Sequence, residues 1–222
     1  MSVPEPSIDK SAIWWSAARA DRAEALATRP LVVMLHGYGA DEMDLAGLSA
    51  QLPQEFVYAS VRAPLAMGGF GGYAWFPLGL PDLNPDTAYA AAAAAALVGW
   101  LTNLREGATT ALAVLGFSQG AAMALQVMRS KPELVTAGVL LSGLMLEQPL
   151  DGDSQLAQAR PPVFVGFDPM DPVIPASRNA ALLAFLDQHT TASTHTYAVG
   201  HGIGPAEVAD IANFLGEQCP PS

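Results

Sequence analysis

The sequence has few cysteines, few basic residues and no long run of strongly hydrophobic ones. A single cysteine, Cys219, stands near the C-terminus. It cannot form a disulfide within the chain, which fits a reducing compartment. Lysine and arginine together number 10 against 21 acidic residues, which gives a net charge of −11. Because this charge repels phosphate backbones and anionic lipids, nucleic acid and membrane surfaces are not expected as partners.

Targeting and membrane-spanning signals are missing as well. The opening MSVPEPSIDK has two prolines and two acids, and no basic segment leading into an apolar one, so no secretory signal is predicted. The longest run of small apolar residues, AYAAAAAAALVGW, is mostly alanine, which forms helices but is weakly hydrophobic. We therefore expect a packed helix there, a cytoplasmic protein without stable membrane insertion, and a flexible segment over residues 1–10.

Apolar runs of strand length recur along the chain, with helical periodicity between most of them. The runs are LVVML (31–35), FVYASV (56–61), ALAVL (111–115), AGVLLS (137–142), PVFVG (162–166) and THTYAV (194–199). The helical segments are 44–52, 87–105, 119–129, 176–188 and 205–217. Before them, AIWWSA is a candidate edge strand, and ADRAEALATR fits either a turn or a short helix. This alternation predicts one α/β domain over residues 1–222, with a mostly parallel sheet covered by helices on both faces.

The stretch LGFSQG places Ser118 between a predicted strand and a predicted helix. A turn this tight crowds the backbone, and Gly116 and Gly120 supply flanking positions without a Cβ. The turn would present the hydroxyl at the positive end of a helix, where a developing oxyanion is stabilised. Ser118 is therefore a candidate nucleophile. The alternative is a chance motif or a helix-capping serine.

A serine nucleophile needs a base, and the sequence has four histidines to choose from. His189 falls at a helix end and His195 inside a strand, where ordinary surface or half-buried roles are usual. His36 opens the glycine-rich HGYG, which is better suited to offering backbone amides. His201 lies in VGHGIGP, after the last predicted strand, between glycines that let its ring reach Ser118, and it is the candidate base. The alternative is an ordinary loop histidine.

The orienting acid is expected after the strand PVFV, in the segment VGFDPMDPVIP. Asp171 precedes Pro172 in a rigid turn and is favoured. Asp168 is the alternative, although an aspartate before proline usually bonds its own loop backbone. With Asp171, the order along the chain is serine, aspartate, histidine, which is the order of α/β-hydrolases.

Two backbone amides are candidate donors to an oxyanion. One belongs to Gln119, directly after Ser118, and the other to Tyr38 in HGYG, where the flanking glycines let the chain turn its amide inward. A further segment, 62–85, is rich in glycine, proline and aromatic residues. An apolar loop of this length fits either a wall of a substrate site or a plug at one end of the sheet.

With these motifs in order, the sequence resembles the phospholipase/carboxylesterase family of α/β-hydrolases. The matching segments are LHGYGADEMDL (35–45), RAP (62–64), WFPL (75–78), LGFSQGAAMAL (115–125), SG (142–143), DPVIP (171–175) and GHGI (200–203). The resemblance implies an α/β-hydrolase fold without a large lid, Ser118, Asp171 and His201 as the triad, and Tyr38 and Gln119 as oxyanion donors. The segment around Phe167 and Asp168 departs from the Gly-His-Gly-like stretch common in relatives, which alters the loop before the predicted acid.

The resemblance also implies the chemistry. It predicts a serine carboxylesterase that acts on short- to medium-chain esters through an acyl-enzyme, with no metal or cofactor and a small-molecule ester as partner. Thioester or lysophospholipid hydrolysis on the same residues and a non-catalytic binding protein of this fold are the alternatives. Relatives are often dimeric, so a homodimer stays open. The residues expected to line the substrate pocket are Leu65, Met67, Tyr73, Trp75, Phe76, Ile174 and Ile203.

Overall fold

The computed structural model describes residues 5–79 and 84–221. Its centre is a seven-stranded sheet in the order β1-β3-β2-β4-β5-β6-β7, in which β1 is antiparallel to β3 and the other pairs are parallel. The strands are β1 (Ile13–Trp15), β2 (Leu31–Leu35), β3 (Val57–Val61), β4 (Leu112–Phe117), β5 (Ala137–Leu141), β6 (Pro162–Phe167) and β7 (Thr191–Thr196).

Helices cover both faces of the sheet. They are α1 (Arg22–Thr28), α2 (Thr87–Leu104), α3 (Gln119–Ser130), α4 (Asp153–Ala159), α5 (Ala176–His189) and α6 (Pro205–Gln218). Buried residues of α1 to α5 belong to one hydrophobic cluster, and those of α6 to another. The mostly parallel α/β sheet predicted from the sequence is confirmed, and the described residues contain no large extra domain.

Strand β2 shows why the apolar runs are so uniform. Its five residues are fully buried, with Leu31, Val33 and Leu35 in the cluster under α1 to α5 and Val32 and Met34 in the cluster under α6. Successive side chains of a strand point to opposite faces, so a strand covered on both faces must be apolar throughout.

Helix α2 contains the alanine-rich run. By length and composition it is the one helix in the described part of the chain that could cross a membrane, with a mean hydropathy of 1.2. Its large side chains Tyr89, Leu97, Trp100 and Leu101 are buried in the core cluster, together with three of its alanines. The opposite face presents mostly alanine.

Two predicted elements are wrong in position or kind, and one helix was not predicted. The last strand is residues 191–196 and not 194–199. Strand β7 pairs only with β6 and is largely exposed, so its residues are polar and an apolar pattern does not mark where it begins. The predicted helix 44–52 is a short 3-10 helix, Ala46–Ala50, in which i to i+3 hydrogen bonds replace helical ones. Helix α4 was not predicted, since it has seven residues and buries only Leu156.

The segment 62–85 forms two small antiparallel pairs within its described part. They are Leu65–Ala66 with Tyr73–Ala74, and Leu78–Gly79 with Asn84–Pro85. Residues 80–83 of this predicted loop lie outside the described residues. The segment both lines a pocket and fills the core, as shown below.

Candidate active site

Ser118 lies on the turn between β4 and α3 with a backbone φ of 55°. Such a positive φ is strained for a residue with a side chain, and it is typical of functional sites. The turn is held in place because the Ser118 amide donates to the Leu141 carbonyl at 2.8 Å. The Ser118 hydroxyl lies beside the loop that carries His201 and follows β7.

Gly116 and Gly120, on either side of Ser118, are required because neighbouring backbone atoms leave no room for a Cβ. A Cβ at Gly116 would overlap the carbonyl oxygen of Gly120, and a Cβ at Gly120 would overlap the carbonyl oxygen of Leu35. Both obstacles are backbone atoms, which cannot move aside as a flexible side chain would. Helix α3 can therefore pack this closely on β2 and β4 only with glycine at these positions.

Ser118, His201 and Asp171 form a continuous hydrogen-bonded chain. His201 Nε2 lies 3.0 Å from Ser118 Oγ, and His201 Nδ1 lies 2.7 Å from Asp171 Oδ2. A neutral imidazole in this chain donates from Nδ1 to the carboxylate and accepts the serine proton at Nε2. These three residues come from loops after β4, β6 and β7, and the parallel sheet brings those loops to one edge.

Asp171 is fixed in its own turn. Its Oδ1 accepts from the amides of Val173 at 2.7 Å and Ile174 at 3.0 Å, which leaves Oδ2 for the histidine. The side chain of Asp171 is 1% exposed, while that of His201 is 18% exposed. The carboxylate is thus shielded and the imidazole remains accessible. The ring of Phe117 lies 5.0 Å from the His201 ring and supports its other side.

Asp168, the alternative acid, does not contact His201. Its Oδ1 accepts from the Met170 amide at 2.8 Å, and its Oδ2 accepts from the amides of Val199 at 2.8 Å and Gly200 at 2.7 Å. These amides, led by those of Met170 and Gly200, hold the pKa of the Asp168 carboxyl below its usual value. The geometry places Asp171, and not Asp168, beside His201.

His36 is fully buried and engaged by backbone groups. Its Nδ1 lies 2.8 Å from the Gly37 carbonyl, and its Nε2 accepts from the Ala63 amide at 3.0 Å. This pattern needs the neutral tautomer with the proton on Nδ1. Burial lowers the pKa of His36, in agreement with a neutral ring. His36 therefore anchors the glycine-rich loop and does not face Ser118.

The amides of Tyr38 and Gln119 border the cleft and have no acceptor within the described part of the chain. The loops that carry them are joined by Trp75. Its indole Nε1 donates to the His36 carbonyl at 2.9 Å, and its amide donates to the Gln119 side chain at 2.7 Å. The Gln119 side chain also donates to the Phe76 carbonyl at 2.7 Å.

Ser118 and His201 open into a cavity of about 410 Å³ with mostly apolar walls. Apart from Ser118 and His201 it is lined by Gly37, Tyr38, Gly39, Ala40, Asp44, Leu78, Phe117, Gln119, Leu144, Val173 and Ile174. No lysine or arginine belongs to this described lining, and Asp44 is its one acidic side chain. A shallower groove of about 430 Å³ adjoins it and shares Tyr38 and Leu78.

The residues predicted for the substrate pocket lie in five places, and Trp75, Phe76 and Ile203 do not line it. Ile174 lines the cavity, and Leu65 and Met67 line the adjoining groove. Tyr73 is half-buried, with the Arg62 guanidinium 4.7 Å from its ring. Trp75 and Phe76 are fully buried in the core cluster and have no surface in the cavity. Ile203 packs on the other face of the sheet, with the α6 cluster.

No group of three histidine, cysteine or acidic side chains with metal-binding geometry is found in residues 5–79 and 84–221.

Comparison with family models matches residues 22–218 to the family described as Phospholipase/Carboxylesterase. The chain belongs to this family. Among solved structures it is similar to the esterase PE8, with 29% identity, a TM-score of 0.74, and 97% of this chain and 100% of that chain covered. It is also similar to Atu2452 of Agrobacterium tumefaciens, a protein of unknown function, at 26% identity, a TM-score of 0.72 and coverage of 86% and 92%.

The carboxylesterase of Bacillus cereus shares the fold at 18% identity, with a TM-score of 0.75 and 93% of each chain covered. Comparison with curated protein sequences gives no match. Membership of the phospholipase/carboxylesterase family and the esterase structures identify the chain as a hydrolase with the α/β-hydrolase fold.

Several cavity residues of this family member were missed by the sequence reasoning. Leu144 directly follows a segment that matched the family, Val173 lies inside another, and Leu78 ends a third, so these segments were the available signal. Asp44 lay inside a matched segment, but nothing in the sequence showed that this carboxylate faces the cavity.

Proposed function

We propose that the protein is a serine carboxylesterase that hydrolyses short- to medium-chain esters through an acyl-enzyme. The observation that carries this proposal is the chain of hydrogen bonds from Asp171 through His201 to Ser118. A serine hydroxyl is a weak nucleophile by itself, and a histidine that accepts its proton is the general way to activate it.

In the acylation step Ser118 Oγ attacks the ester carbonyl while His201 Nε2 takes its proton. The carbonyl oxygen becomes an oxyanion, and the amides of Tyr38 and Gln119 are the donors available to it. As the tetrahedral intermediate collapses, His201 returns the proton to the departing alkoxide and the alcohol leaves. Asp171 keeps the imidazole in the reactive tautomer and stabilises the imidazolium.

Deacylation repeats these steps with water. His201 takes a proton from a water molecule that attacks the acyl carbon, the same two amides stabilise the second oxyanion, and the proton then goes to Ser118 Oγ as the acid leaves. The His201 side chain is 18% exposed, which allows water to reach it.

The charge of the cavity favours a neutral ester over a lysophospholipid. Its walls are apolar, Asp44 adds a negative charge, and the described lining offers no cation to pair with a phosphate. An uncompensated anionic group beside a carboxylate is disfavoured by about 1 kcal/mol at 4 Å even in water. A thioester has no such penalty, so thioester hydrolysis remains the second candidate.

The test is turnover of p-nitrophenyl esters from two to twelve acyl carbons, beside an acyl-thioester and a lysophospholipid. Ser118→Ala should lower kcat by several orders of magnitude, because nucleophile and base act as a unit. Ser142→Ala is the matched control, since Ser142 is a buried serine with a positive φ of 44° at the end of the neighbouring strand β5.

A fluorophosphonate probe should label Ser118 in the folded wild-type protein and leave Ser118→Ala unlabelled. Folded protein that is neither labelled nor active on any of these substrates would contradict the proposal and favour a binding protein of this fold. Turnover restricted to the thioester would replace the carboxylesterase by the second candidate.

A further inference from the structure

The loop that carries His201 has little backbone support from the sheet. It follows β7, which bonds to β6 alone, and it contains Gly200, Gly202 and Gly204. At its start the Tyr197 amide donates to the Phe167 carbonyl at 3.1 Å. A glycine-rich segment has many accessible conformations, so another interaction must hold the imidazole within reach of Ser118.

The carboxylate of Asp168 provides that interaction. Asp168 directly follows β6, and its Oδ2 accepts from two successive amides of the His201 loop, those of Val199 at 2.8 Å and Gly200 at 2.7 Å. Gly200 has a φ of 62°, a left-handed backbone conformation that glycine adopts readily, and it directly precedes His201.

The same aspartate is bonded to the loop of the orienting acid. Its Oδ1 accepts from the Met170 amide at 2.8 Å, and its main-chain oxygen accepts from the Asp171 amide at 3.0 Å. Asp168 therefore joins the two loops whose side chains meet in the His201–Asp171 hydrogen bond. Asp168 is only 8% exposed, and hydrogen bonds from amides to a charged carboxylate are stronger than those between neutral groups.

We propose that Asp168 is a positioning residue, whose carboxylate braces the His201 loop against the Asp171 loop and so keeps both imidazole nitrogens aligned. This inference rests on the proposed function, because it assigns Asp168 a part in the same reaction. It also explains the departure of the FDPMD segment from the family pattern. The second aspartate of the segment orients the base, and the first fixes the distance between the two loops.

Two variants separate the brace from the local turn. Asp168→Asn keeps the size of the side chain, but its amide nitrogen cannot accept, so either the Met170 amide or the Val199 and Gly200 amides lose their acceptor. Asp168→Ser can still accept from the Met170 amide but is too short to reach the other loop. Asp9→Asn is the matched control, because Asp9 accepts from the Ser11 amide at 2.9 Å in the same kind of turn before β1.

The measurements are kcat and KM on p-nitrophenyl butyrate, the rate of Ser118 labelling by a fluorophosphonate, and the melting temperature of each variant. Misplacement of a catalytic group by about 1 Å costs up to a hundredfold in rate. We expect Asp168→Ser to lose about ten- to a hundredfold in kcat and in labelling rate, with KM within about threefold of wild type. Asp168→Asn should lose less, because its remaining oxygen can still accept from the Val199 and Gly200 amides. Asp9→Asn should match the wild type.

The outcomes distinguish this inference from the proposed function. A wild-type protein without ester turnover or labelling would remove the proposed function, and the brace with it. An active wild type whose Asp168 variants lose only melting temperature, keeping kcat and labelling rate, would overturn the brace alone. Variants that fail to fold would overturn it too, since the carboxylate would then be holding the fold rather than the base.

Discussion

Glu207 is a fully buried carboxyl on the first turn of α6, and its replacement by glutamine tests how the fold tolerates that burial. Its Oε2 accepts from the Gly204 amide at 3.4 Å, and its Oε1 has no hydrogen-bond partner in the described part of the chain. Gly166 lies against Oε1, where a Cβ would overlap it. Burial raises the pKa of Glu207 to about 7.

The magnitude follows from the difference between the folded and unfolded titrations. The ordinary pKa of the carboxyl is 4.5. Below that pH both states are protonated and the group has no effect. Between pH 4.5 and about 7 the unfolded chain releases the proton while the folded protein keeps it, so stability falls as pH rises. The loss reaches at most about 3 kcal/mol and is constant once both states are ionised.

Glu207→Gln removes this titration. As the pH rises from about 4 to about 8, the variant should therefore become more stable relative to the wild type, by up to about 3 kcal/mol in the free energy of unfolding. A constant offset is expected besides, because an amide has one more donor to satisfy than a protonated carboxyl. Groups such as His36 titrate in both proteins and cancel in the difference.

Urea unfolding at a series of pH values measures that difference. Glu217→Gln, at an exposed position of the same helix, is the control and should change stability by less than about 0.5 kcal/mol at every pH. A Glu207→Gln difference that stays flat from acid to alkaline pH would refute the reasoning, because the carboxyl would then be equally easy to ionise in the folded and unfolded protein.

Further expectations concern packing, a buried ion pair and the lone thiol. Gly120→Ala should cost more than about 3 kcal/mol in urea unfolding or prevent folding, since its Cβ would overlap the Leu35 carbonyl; a stable variant would show that α3 can shift. Arg129 is 1% exposed, and its guanidinium lies 2.8 Å from Asp153 Oδ1. Asp153→Asn should lower the free energy of unfolding by about 3 kcal/mol, because the buried guanidinium loses its counter-charge. A cost below about 1 kcal/mol would count against this. Cys219 is buried, which raises the pKa of its thiol to about 11, so a thiol reagent at pH 8 should modify it only on unfolding; rapid reaction of the native protein would contradict that burial.

The parts of this molecule that repeat a strong local pattern could be predicted from the sequence. Strands such as β2 are apolar throughout because both their faces are covered, and the turn at Ser118 is marked by glycines that close backbone contact requires. The choice of Asp171 over Asp168 followed from the rigid turn after Asp171, and the structure places that carboxylate beside His201.

Features that depend on contacts between distant segments could not be predicted. The predicted strand 194–199 overlaps β7 only at residues 194–196, because an exposed edge strand needs few apolar residues and its polar start does not show the apolar pattern. Trp75 and Phe76 are apolar aromatic residues, which suit a cavity wall and the core equally well. Only their contacts with His36 and Gln119 in the folded protein show that they fill the core. Val199 and Gly200, which bond to Asp168 Oδ2, lie more than thirty residues from it in the sequence.

Strand β7, with hydrogen bonds to a single neighbour, has a consequence for how the protein responds to heat. An edge strand opens locally at a lower free-energy cost than the strands inside the sheet, and the loop that follows it moves with it. Thermal inactivation should therefore begin while circular dichroism still reports an intact fold. It should also reverse on cooling for as long as the interior strands stay paired.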